Sequence, residues 1–253
     1  MSQNGVVMKV KKALGFFFVS INCYVPQYAY DNQCNVSLAW LRMQDENCSM
    51  RVLDILDGSW DIKVEEIEGV PTLDLKELGL TSLEGIDKIP GIERVENLFL
   101  THNHLRSVKE LQSLPSLKRL WLGHNELLTL PEGLDELTQL IKLCLHNNEL
   151  TSLKGLEKLK LLTDILCVRG NKLTSLAGIE SLQELTGIDI ADNPLHSYGE
   201  LKHLSQLKVV YMDVYQNTEQ VKHYNLGVEI EVYKTGLFTS QENQKDERTV
   251  SLE

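Results

Sequence analysis

The sequence offers no basic surface: 36 aspartates and glutamates outnumber 25 lysines and arginines, for a formal charge of −11. A phosphate backbone or an anionic lipid surface is held through a basic patch, so neither nucleic acid nor a membrane surface fits as a partner. Also missing are a Gly-rich phosphate loop, a His-Glu-x-x-His pair, a Cys-x-x-Cys pair and a nucleophile elbow. Without them the expectation is a protein that is not an enzyme, with no cofactor, no metal site and no small-molecule substrate. The apolar run from Ala13 to Val19 is too short to span a bilayer, which takes about 20 residues of helix.

What the chain does contain is one pattern, repeated. In Leu98-Phe99-Leu100-Thr101-His102-Asn103-His104-Leu105, leucines at the first, third and last positions frame an asparagine. The same frame returns from Leu120 to Leu127, Leu143 to Leu150, Leu166 to Leu173 (with Val168 inside) and Ile188 to Leu195. The asparagines Asn103, Asn125, Asn148, Asn171 and Asn193 follow one another at intervals of 22, 23, 23 and 22 residues. A period in this range is the mark of a solenoid. Leucines alternating with outward residues predict a short strand in each copy. Each asparagine should then bond backbone groups of its own and neighbouring coils, a structural role rather than a catalytic one.

The frame begins at Leu73, with Leu78 where an asparagine is expected, and ends near Val210 and Met212, with Tyr215 in that place. Between copies the linkers are regular too: Thr81-Ser82-Leu83-Glu84-Gly85-Ile86 returns as Thr151 to Leu156 and Thr174 to Ile179. These segments resemble leucine-rich repeats of the 22-residue kind, similar to those of bacterial internalins and of the eukaryotic protein phosphatase 1 regulatory subunit. The resemblance covers about residues 70–215. It implies an α/β fold, a leucine-rich-repeat solenoid with a concave parallel β-sheet and N- and C-terminal caps. It also implies protein binding, either by an exported module like an internalin or by a cytosolic regulatory scaffold like the phosphatase subunit.

The segments outside the repeat divide by composition. Lys9, Lys11 and Lys12 precede the apolar run and no acidic residue comes before Asp31, the order of a secretory signal peptide over 1–29 with cleavage after Ala29. The localisation expected from it is secreted or periplasmic, from a bacterium. The alternative is an N-terminal strand or buried helix in a cytoplasmic protein. Residues 30–70 should cap the first coil, whose apolar edge an unlike segment must cover; a helix is expected around Asp45 to Leu56. Cys34 and Cys48 fall in this cap, and in an exported protein they would form a disulfide. Residues 71–215 are the repeats and 216–238 the C-terminal cap, with a helix near Thr218–Tyr224 and a strand from Val228 to Tyr233. The polar stretch 239–253 reads as a disordered tail.

Function should be sought where the copies differ. The central outward column reads Asp74, Phe99, Trp121, Cys144, Cys167, Asp189, Tyr211; the preceding one Thr72, Asn97, Arg119, Lys142, Ile165, Gly187, Val209; the following one Lys76, Thr101, Gly123, His146, Arg169, Ala191, Asp213. Phe99 and Trp121 are candidate anchors for an unknown protein partner, because aromatics dominate the centres of interfaces. Arg119, Lys142 and Arg169 would add a basic strip, with His146 and Tyr211 completing the candidate surface. His102, His104, His124 and His146 lie close in sequence, either a transition-metal or pH-responsive patch or, the reading preferred, polar residues at turn positions; Cys144 and Cys167 stand one strand apart with His146 close to Cys144, either bridged or, the reading preferred, two small residues tolerated on a sheet face.

Overall fold

The computed structural model describes residues 6–10, 21–25, 50–57, 62–213, 216, 218–223 and 227–233. A hairpin of β1 (Val6–Val10) and β2 (Ile21–Val25) pairs antiparallel, Val6 opposite Val25. The apolar segment between them, the expected cleavage point at Ala29, and Cys34 and Cys48 with their expected disulfide lie outside the described residues.

The solenoid follows. Helix α1 (Val52–Asp57) leads into β3 (Glu65–Ile67), β4 (Val70–Asp74), β5 (Asn97–Phe99), β6 (Arg119–Trp121), β7 (Lys142–Cys144), β8 (Ile165–Cys167), β9 (Gly187–Asp189) and β10 (Val209–Asp213). Helix α2 (Thr218–His223) and β11 (Glu229–Tyr233) complete it. β3 to β11 form one sheet in sequence order, parallel throughout except for the antiparallel β3–β4 pair. The register is the one the repeat dictates: Asp74 opposite Phe99, Phe99 opposite Trp121, Trp121 opposite Cys144, Cys144 opposite Cys167, Cys167 opposite Asp189, Asp189 opposite Tyr211. The fold is therefore a leucine-rich-repeat solenoid of the α/β class. Opposite the sheet the coils return through short 3-10 turns, such as Lys109–Ser113 and Gly199–His203, instead of α-helices.

Each coil sends a row of apolar side chains inward. One coil supplies Leu98, Leu100, Leu105, Val108, Leu111, Leu114 and Leu117, all essentially inaccessible, and the next but one supplies Leu143, Leu145, Leu150, Leu153, Leu156, Leu159 and Leu162. Burying each such side chain contributes roughly 1.5–3 kcal/mol. No coil encloses its own row, so the stability belongs to the stack.

Polar atoms inside the stack are met by the asparagines. Asn125 is buried; its Nδ2 donates to the carbonyls of Leu100 (3.0 Å), Leu122 (3.1 Å) and Gly123 (3.2 Å), and its Oδ1 accepts the Leu105 N–H (3.0 Å). Asn103, Asn148, Asn171 and Asn193 repeat the arrangement. The last rung corrects the sequence reading. Gln216, one residue beyond Tyr215, reaches Ile190 O (3.0 Å) and Asn193 O (3.4 Å) with Nε2. Its longer side chain absorbs the slip of one position. In the first copy Leu78 has no amide to give, and its own N–H donates to Asn103 Oδ1 at 3.2 Å.

The residue before each rung is left-handed: Glu77, His102, His124, Asn147, Gly170 and Asp192 have φ between 51° and 65°. His, Asn, Asp and Gly are the residues that tolerate this region best, which accounts for most of the residue types in this column.

Both ends are capped by unlike structure. α1 is shorter than expected and starts at Val52; 45–49 lie outside the described residues. Met50, Val52 and Ile55 seal the first coil, and Leu53 N–H donates to Glu84 O at 2.8 Å. Arg51 Nη2 pairs with Asp54 (2.9 Å) and Nη1 with Glu84 (3.0 Å), which raises its pKa, chiefly through the Asp54 hydrogen bond. At the far end β11 adds to β10 in parallel, Val209 opposite Glu229, while Val221 of α2 is buried against the core.

Candidate functional site

The central column of the sheet face divides into an aromatic half and a thiol half. Phe99 and Trp121, one strand apart, stack with centroids 4.2 Å apart and planes 16° from parallel. Strand spacing of about 4.8 Å puts neighbouring residues of one column within stacking range. Both rings are half-buried, and each carries a cation: Lys76 Nζ lies 4.9 Å from the Phe99 centroid and Lys142 Nζ 5.6 Å from that of Trp121. Tyr211, also half-buried, stands at the other end of the column, beyond Cys144, Cys167 and Asp189.

The expected basic strip is only partly an exposed one. Lys142 is 6 % exposed, its ammonium 3.2 Å from Asp164. Arg169, with its side chain 18 % exposed, is held by Asp192 at 3.0 Å. Arg119 Nη1 donates to Asn97 Oδ1 at 3.2 Å. Each cation thus already has an acceptor within the sheet or its flanking turn: Asn97 of the same column for Arg119, and for Lys142 and Arg169 acidic residues that period-two alternation does not bring into view.

Three of the four neighbouring histidines converge. His102 and His124 stack at 4.1 Å, and His124 meets the edge of His146 at 4.9 Å. Burial, followed by the charges of His102 and His146, lowers the His124 pKa from its ordinary 6.5 to about 4. Asn147 Nδ2 lies 3.0 Å from His124 Nε2, within hydrogen-bond distance. His104 instead points away to Glu126 (2.9 Å), whose carboxylate is held below the usual range mainly by hydrogen bonds from Arg106.

His146 has turned toward the central column. Its Nδ1 is 2.9 Å from Cys144 Sγ, and Cys167 Sγ is 3.9 Å from Asp189 Oδ2. Cys144 and Cys167 are unbridged thiols. The hydrogen bond from Cys167 and the adjacent His146 hold the Cys144 thiol well below its ordinary range, and the same pairing pushes Cys167 up. Sequence reasoning placed Cys144 beside Cys167 and His146 close to Cys144, but not the imidazole turned onto the thiol. The missing signal was Gly123: a Cβ there would overlap the His146 ring, so the glycine opens the space in which the imidazole lies.

The asparagine ladder, the fixed register and the sheet of one strand per coil define a leucine-rich-repeat protein. No protein-family model matches the sequence, and no curated protein does either. Among solved structures it is similar to internalin C2 of Listeria monocytogenes, with 23 % identity and a TM-score of 0.45, over 57 % of this chain and 81 % of that one. It is likewise similar to internalin F of the same organism, with 17 % identity and a TM-score of 0.49, over 66 % of this chain. The matched part spans 57 % of the internalin F chain.

Proposed function

We propose that this protein is a non-catalytic interaction module that binds a protein partner on its concave sheet face, with Phe99 and Trp121 as the anchor. The observation that carries the reading is the stacked, half-buried aromatic pair on the strand face, at positions the leucine core does not use. A preassembled stack gives a partner a large apolar contact with little rotamer entropy left to lose. Arg119 and Lys142 beside it, with His146 and Arg169 further along the face and Tyr211 at its far end, complete the proposed surface, and the internal pairing of Arg119, Lys142 and Arg169 fixes them in place for recognition. The N-terminal order of lysines and apolar residues supports export from a bacterium, which N-terminal sequencing of the protein from its native host tests directly.

The test of binding is affinity capture from native-host extract with the wild type beside Trp121→Ala and the Phe99→Ala, Trp121→Ala double variant. The partner captured is then titrated against all three. Trp121→Ala should weaken binding by at least about 2 kcal/mol, roughly 30-fold, as expected for loss of an aromatic anchor, with the melt of the solenoid preserved. Affinity unchanged in a folded double variant would overturn the anchor.

A further inference from the structure

Side by side on the sheet face are two thiols and an imidazole whose ligating atoms all lie within 4.8 Å of one another: Cys144, His146 and Cys167. Each is positioned by the fold. Cys144 and Cys167 face each other across the β7–β8 pair, and His146 lies two residues along from Cys144, on the same side of its strand. Its ring is seated over Gly123, where any larger residue would displace it. A carboxylate lies beyond the set, on the far side of Cys167: Asp189 is buried, its Oδ1 accepts the Ala191 N–H at 3.2 Å, and its Oδ2 is 3.9 Å from Cys167 Sγ.

From this arrangement we infer that Cys144, Cys167 and His146 Nδ1 form a three-ligand binding site for a divalent metal ion of the zinc class, with the fourth position open to solvent. The donor set decides the class: thiolate and imidazole select zinc-like ions over calcium and magnesium, which take oxygen ligands. The distances fit as well. Tetrahedral zinc with bonds of about 2.3 Å to sulfur and about 2.0 Å to nitrogen separates its ligand atoms by roughly 3.5–3.8 Å. The Cys144–His146 contact of 2.9 Å opens by somewhat more than half an ångström, and the widest separation in the set, up to 4.8 Å, closes by about 1 Å. Side-chain rotation on a rigid sheet supplies movements of this size. On binding, each thiol forms a sulfur–metal bond and releases its proton to solvent, while the imidazole enters neutral.

Cobalt(II) reports the geometry. The fully reduced full-length chain, its free thiols counted beforehand, is titrated with cobalt(II) and then with zinc in competition with a chromophoric chelator. One equivalent should produce a thiolate-to-cobalt charge-transfer band and the visible bands of a tetrahedral site, both abolished by zinc. Cys144→Ser and Cys167→Ser should each weaken zinc binding at least about 100-fold, and Gly123→Ala, which keeps every ligand but displaces the imidazole, about 10-fold. Far-UV circular dichroism confirms that each variant is folded; Gly123→Ala and His146→Ala carry the test should a cysteine variant fail to fold. The inference is overturned if the folded, reduced wild type gives no cobalt spectrum. It is equally overturned if the spectrum and affinity survive all of these substitutions, which would place the metal on Cys23, Cys34 or Cys48.

Discussion

The imidazole of His146 occupies the space that a side chain on Gly123 would fill, on the adjacent coil of the solenoid. The Gly123 backbone is not left-handed, so glycine is required there for room and not for conformation. Gly123→Ala should cost little stability, less than about 1 kcal/mol, because the ring lies at the surface and can swing outward. Cys144 then loses its imidazole neighbour, and since that neighbour favours the thiolate, its thiol pKa rises. Peptide-resolved iodoacetamide labelling against pH should show the Cys144 midpoint moving upward. An unmoved profile would mean that His146 does not act on Cys144.

Asn125→Leu removes one rung of the ladder and leaves the Leu105 N–H and the Leu100 and Leu122 carbonyls without their buried partner. Unsatisfied buried groups cost about 1–3 kcal/mol each, so a loss of roughly 3–5 kcal/mol is expected. Thermal melting against a surface control such as Glu132→Gln checks it. A melt equal to the control would contradict the ladder.

The recurring half of each repeat was legible because it obeys a fixed spacing: the asparagines set the register, and the register alone placed Phe99 beside Trp121 and Cys144 beside Cys167. Pairings between positions that do not share a column were not legible. Lys142 looked like an exposed cation because its partner, Asp164, belongs to the approach to the next strand. His104 looked like a member of the histidine group, yet it lies past the turn and faces Glu126. Gly123 reads as a small residue until the ring that needs its space is seen. The last rung was misplaced by one residue because glutamine spans a gap that asparagine could not.

Gln216 should therefore behave as a terminal clamp. Its Oε1 accepts the Asp213 N–H at 3.1 Å while Nε2 holds Ile190 O of the preceding coil. Gln216→Ala should cost about 1–2 kcal/mol and fray the stack from this end. Hydrogen exchange should speed up at Asp213 and along β10, with the coil around Leu120 unaffected. Uniform exchange across the stack would rule out a local clamp.

The histidine stack makes stability depend on pH with a determined sign. His124 has a folded pKa of about 4, below its ordinary 6.5, so between these values the unfolded chain binds the proton that the folded chain excludes. Stability is then fully present above about pH 6.5 and falls as the pH drops toward 4. Because the site is only partly buried, solvent screening limits this contribution to about 1 kcal/mol. His124→Asn is the informative variant: asparagine tolerates the left-handed backbone at this position, as Asn147 does one coil later, and cannot be protonated in this range. Denaturant melts at pH 7.5 and pH 4.5 should show a smaller acid loss in the variant than in the wild type. An equal loss would mean that His124 is not the group that excludes the proton.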